Sequence, residues 1–96
     1  MALSPRQKKF LRAEAHGLSP VAFVGQNGLT DAVVKEIDRN LTCHELIKVR
    51  LRVEDKSELL AATAPVLERT GAELVQVIGR LMVLYRPAPE KKIALP

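Results

Sequence analysis

Cysteine occurs once in the 96 residues, at Cys43, so no disulfide can form within the chain and the core must hold the fold unaided. That usage fits a reducing compartment, and Cys43 reads as a packed, structural thiol. No uninterrupted apolar run approaches the ~18 residues of a membrane span. The opening "MALSPRQKKF" has cations without the apolar segment of a secretory leader. A soluble, cytoplasmic protein is expected. Tryptophan is absent and aromatic residues make up only 3%, namely Phe10, Phe23 and Tyr85. Phe10 and Phe23 sit in apolar surroundings and read as core, whereas Tyr85 reads as a core ring with its hydroxyl at the edge. The chain therefore lacks the paired exposed aromatics on which RRM-type sheets stack bases.

Catalytic constellations are equally scarce. His16 is remote from the adjacent Cys43 and His44, which gives no metal-ligand spacing. Cys43 and His44 lack a third group to orient them for nucleophilic chemistry. Asp31, Glu36, Asp38 and Glu45 fall in or beside one helix, where capping and surface solvation account for them. A GxGxxG or GxxxxGK[ST] phosphate loop is missing as well. No enzyme, cofactor, metal or small-molecule substrate is expected.

What is present is a small aliphatic core and an excess of cations. Apolar residues make up 47% and charged residues 27%, enough for one domain over residues 1–96 and too little for two. The formal net charge is +4, which suits a polyanionic partner. Arg6, Lys8, Lys9 and Arg12 stand near the N-terminus against Glu14 alone, while Lys48, Arg50 and Arg52 alternate along a later stretch.

Hydrophobic periodicity orders these charges. Ser4 and Pro5 predict a helix from Pro5 to Ala15, with Phe10, Leu11 and Leu18 on one side and Lys8, Lys9 and Arg12 on the other. "VAFV" is short and apolar enough for a strand buried on both faces. Thr30 caps a second helix whose stripe is Ala32, Val33, Ile37 and Leu41. "LIKVRLRV" alternates as a strand, with Ile47, Val49, Leu51 and Val53 inward and Lys48, Arg50 and Arg52 outward. Asp55 and Glu58 open a third helix as a capping box; Leu60, Ala64 and Leu67 face inward, and Pro65 predicts a kink or restart near Ala61 to Pro65. "LVQVI" and "LMVLY" make a hairpin around Gly79 and Arg80, and residues 87–96 an extended tail. The expected fold is a compact α/β domain, α-β-α-β-α-β-β, with three helices and a mixed four-stranded sheet whose first three strands run parallel.

One motif stands between the first strand and the second helix. In "PVAFVGQNGLTD", Gly25 and Gly28 bracket Gln26 and Asn27. Glycine permits positive φ and a close approach to backbone, and a helix N-terminus attracts phosphate. KH domains clamp single-stranded nucleic-acid backbone with a loop of this form. Turn geometry alone also explains two glycines near a strand end. With so few aromatics, recognition would rest on phosphate and ribose contacts and follow RNA shape more than sequence.

The blocks "FVGQNGLT", "HELIKVRL", "VQVIGR", "VLYRP" and "KIALP", in this order and spacing, resemble the bacterial YhbY family, the single-domain members of the CRM group. The resemblance covers the chain from about Leu3 to Pro96. It implies a fold similar to the C-terminal domain of translation initiation factor three, RNA binding, and association with rRNA in precursors of the large ribosomal subunit. Its functional loop falls on Gly25, Gln26, Asn27 and Gly28, flanked by Lys8, Lys9, Arg12, Lys48, Arg50 and Arg52. Gln26 departs from the lysine frequent at that position, and Pro65 is atypical. The competing reading is a protein-interaction module docking on ribosomal proteins, its cations serving solubility.

Overall fold

Each helix of the computed structural model, which describes residues 3–25, 27–90 and 93–96, begins at a side chain suited to hold it. Ser4 caps α1 (Pro5–Ala15): its Oγ accepts from the Gln7 amide at 3.1 Å, while Gln7 Oε1 accepts from the Ser4 amide at 3.0 Å, a reciprocal box. Thr30 Oγ1 accepts from the Val33 amide to start α2 (Asp31–His44). Asp55 does the same for the Glu58 amide at the head of α3 (Lys56–Thr70), but the Glu58 carboxylate reaches past Asp55 to the Glu54 amide at 2.6 Å. Gly71, at φ 71°, ends α3 in the left-handed conformation that glycine tolerates.

The strands are β1 (Pro20–Val24), β2 (Leu46–Leu51), β3 (Glu73–Ile78) and β4 (Leu81–Tyr85). Their spatial order is β1-β2-β4-β3, with β1 parallel to β2 and β4 antiparallel to both of its neighbours. The first three strands therefore point the same way, as expected, and β4 inserts between β2 and β3. Helices cover both sides. Ile37 and Leu41 of α2 with Leu59 and Val66 of α3 pack on Val24, Ile47, Val49, Leu51, Met82 and Leu84. On the other side Leu11 and Ala15 of α1 pack on Leu46, Val75, Val83 and Tyr85, joined by Ile93 and Leu95 of the tail. Residues 87–90 and 93–96 carry no regular element. No helix among the described residues is long and apolar enough to cross a membrane.

Several faces differ from the sequence expectation. In α3 the buried residues are Leu59, Thr63, Val66 and Thr70, while Leu60 and Ala64 are exposed. Thr63 and Thr70 can be buried because each hydroxyl donates to a carbonyl one turn back, Leu59 and Val66 respectively. No restart occurs at Pro65; it lies on the exposed side with Ala61, whose carbonyl loses its helical donor where water can replace it. In α2 the stripe is Val34, Ile37 and Leu41 with Val33 half-buried, and Ala32 is exposed. Leu18 follows α1 and is exposed. Cys43 and His44 are exposed rather than packed.

Glu45, expected on the surface, is fully buried at φ 64°. Its carboxylate accepts the amides of Ala88 at 3.2 Å and Ile93 at 3.0 Å, and bonds the Tyr85 hydroxyl. The Tyr85 hydroxyl is thus interior, not at an edge. Burial, chiefly, and then the neighbouring carboxylate push its pKa above the ordinary 10.0. Arg86 ties the end of β4 to both helices of the opposite layer: Nη1 donates to Asp38 Oδ1 and the Thr70 carbonyl, each at 2.6 Å, and Nη2 donates to the Asp38 carbonyl and Thr42 Oγ1.

Candidate functional site

The glycine loop closes where the carboxyl end of β1 meets the start of α2. The Gly28 amide donates to the Gly25 carbonyl at 3.0 Å, and the Thr30 amide to the Gly28 carbonyl at 3.1 Å. Two of the donors that the sequence reading offered to a phosphate are therefore spent inside the turn. Gly28 has φ 75°, and a Cβ there would meet nothing within 4 Å, so conformation and not crowding requires glycine. Gly25 is different. A Cβ on it would lie 3.2 Å from Phe23 Cε1, because the aromatic ring occupies the side-chain space beside it. Asn27 is exposed, and Gln26 lies outside the described residues.

Arginines from β2, from the residues just after it and from α3 approach this loop. The Arg52 amide donates to the Val24 carbonyl at 2.8 Å, which extends the β1–β2 ladder and sets Arg52 beside Gly25. Arg50 pairs in register with Phe23. Arg69, from the last turn of α3, donates to the Leu29 carbonyl at 3.2 Å and to Asp31 Oδ1 at 2.6 Å. Its salt bridge offsets the carboxylate at the head of α2, and the Arg69 side chain stays 43% exposed. Sequence reasoning missed Arg69, since its partners lie about forty residues away and no local pattern joins them.

The other expected contacts divide by position. Lys9 and Arg12 lie exposed on α1, which covers the same sheet face that carries Arg50, and Lys8 is half-buried there. Lys48 is only 9% exposed. It pairs with Val83, a member of the core beneath α1, so that helix covers the part of the face that alternation had assigned to solvent. Two residues further, Arg50 emerges beyond the helix. Phe23, expected in the core, is 52% exposed, because β1 is an edge strand and α1 does not reach it. Among the described residues no group of His, Cys, Asp and Glu side chains could hold a metal ion.

Residues 3–86 match the CRS1 / YhbY (CRM) domain. The chain belongs to that family. Across 98% of its length this CRM chain is 46% identical to a Haemophilus influenzae protein named "RNA-binding protein", 95% of which is covered. It is 40% identical to YqeI of Bacillus subtilis over 98% of this chain and 99% of that one. The solution structure of SAV1595 from Staphylococcus aureus superposes with a TM-score of 0.80 at 39% identity, covering 99% of this CRM chain and all of that one. The α-β-α-β-α-β-β order and mixed sheet are thus shared with a solved relative.

Proposed function

We propose that the chain binds RNA on precursors of the large ribosomal subunit, gripping the sugar-phosphate backbone at the Gly25–Gly28 loop. The observation that carries this reading is the gathering of Arg50, Arg52 and Arg69 around a loop whose backbone is open at Gly28, where a Cβ would meet nothing within 4 Å. Guanidinium groups supply the strong, directional phosphate contacts, and the open backbone at Gly28 lets the ribose-phosphate chain come close. Lys9 and Arg12, exposed on α1, and the half-buried Lys8 belong to the helix that covers the other part of the same sheet face. Family membership and the name of the Haemophilus influenzae relative support RNA as the ligand. The YhbY resemblance supplies the ribosomal context.

Filter-binding titrations at two salt concentrations test the loop. Asn27→Asp puts a carboxylate on the exposed loop without touching either glycine, so affinity falls while the melting temperature holds. Gln26→Lys restores the cation frequent in the family; it strengthens binding and steepens the logarithmic salt slope by about 0.7 to 0.9. If both variants bound RNA as the parent does, the loop would be a turn and nothing more. In growing cells, tagged protein co-sediments with incomplete large subunits and is depleted from translating ribosomes. Migration with free protein or with small subunits alone would remove the assembly role.

A further inference from the structure

The sheet face that α1 leaves uncovered carries a row of side chains crossing all four strands. Phe23 pairs with Arg50, Arg50 with Leu81, and Leu81 with Ile78. Phe23 is 52% and Ile78 46% exposed, and Arg50 is exposed between them. Three inter-strand spacings make this row ~14 Å long, the reach of about two or three nucleotides. Arg50 lines two hollows. One, of about 280 Å³, is shared with Pro20, Val21, Phe23 and Glu36. The other, of about 600 Å³, lies at the β3–β4 turn with Lys56, Ile78 and Arg80 among its lining and Glu54 and Asp55 also present. The row begins at the glycine loop, since the Phe23 ring rests on Gly25.

An exposed phenylalanine beside an arginine suits an occupant that is both flat and anionic. An unpaired nucleotide meets both demands: its base has a π-face for the ring and its phosphate a negative charge for the guanidinium. We propose that Phe23 is a base-stacking platform, and that single-stranded RNA leaves the glycine loop across Phe23 and Arg50 toward the hollow at Gly79 and Arg80. This rests on the RNA-binding reading above and adds to it a preference for unpaired over duplex RNA. Duplex bases are stacked inside the helix and offer the ring no free face.

The test compares a short oligoadenylate, its abasic counterpart and a blunt RNA duplex of equal length. Phe23→Leu keeps apolar bulk and removes the π-face, and at a half-exposed position it leaves melting unchanged. Oligoadenylate affinity falls on the order of tenfold, as for loss of one stacked base, while duplex and abasic affinities hold. Phe23→Trp retains the affinity and, in a chain without tryptophan, gives a single indole whose emission oligoadenylate quenches and the abasic strand does not. If Phe23→Leu bound oligoadenylate as the parent does while Asn27→Asp bound it more weakly, the platform would be refuted and the loop reading would stand. Equal losses by Phe23→Leu on all three probes would also refute stacking, since the ring would then act only by supporting Gly25. Failure of the parent protein to bind any of the probes would overturn both readings.

Discussion

Replacing Gly28 by alanine separates the loop's conformational demand from its proposed contact with RNA. At φ 75° an alanine pays the left-handed penalty of about 1–2 kcal/mol. Alanine also restricts the unfolded chain, which returns about 0.4–1 kcal/mol. Because a Cβ at Gly28 meets nothing within 4 Å, no clash adds to the balance. The net loss is about 1 kcal/mol, a fall in Tm of about 4–8 °C for a domain of this size. Gly71 provides the control: at φ 71°, again with open space around a Cβ, Gly71→Ala incurs the same penalty at the end of α3. Calorimetry should find the two variants equally destabilised. Filter binding below both melting temperatures should find RNA affinity reduced roughly fivefold by Gly28→Ala, about 1 kcal/mol, and unchanged by Gly71→Ala. Gly28→Asn, which tolerates the left-handed region, should recover most of the stability and keep the binding defect. Gly28→Ala melting at or above the parent temperature would refute the loop conformation. Equal affinity losses at Gly28 and Gly71 would show that binding had followed stability and not contact.

Three further outcomes follow from other contacts. Tyr85 is the chain's single tyrosine, so its ultraviolet titration should show one midpoint above 10.0. The folded state holds that proton more tightly than the unfolded one, so the contribution of Tyr85 to stability is constant below about pH 10 and declines as pH rises from there through the folded midpoint; Tyr85→Phe should lack that decline. Arg86→Ala should cost about 2 kcal/mol, since it removes charge-assisted bonds to Asp38, Thr42 and Thr70 although Asp38 keeps partial access to water, and chemical denaturation should show it as a lower midpoint. Arg50→Gln should flatten the logarithmic salt slope of single-stranded RNA binding by about 0.7 with no change in Tm, and an unchanged slope would remove Arg50 from the interface.

The helix starts and the glycine loop were legible in the sequence because their causes are local. Ser4, Thr30 and Asp55 act on amides three residues away, and the turn from Gly25 to Gly28 closes on itself. The alternation of β2 was equally plain, and it put Lys48 and Arg50 on one face. Which of the two meets solvent was decided by where α1 ends: over Lys48 and short of Arg50. The same boundary exposes Phe23, whose apolar neighbours in "VAFV" had suggested a strand buried on both sides; an edge strand half-covered by helices has a different surroundings for each of its faces. Arg69 and Arg86 read as two more surface cations until the fold brings them to Asp31 and Asp38, across 38 and 48 residues. Glu45 likewise has no buried partner until the tail returns the amides of Ala88 and Ile93 to it. Periodicity and capping depend on atoms within a few residues and so were determined by the sequence alone; burial and ion pairing depend on which distant segment arrives, and only the tertiary structure decided those.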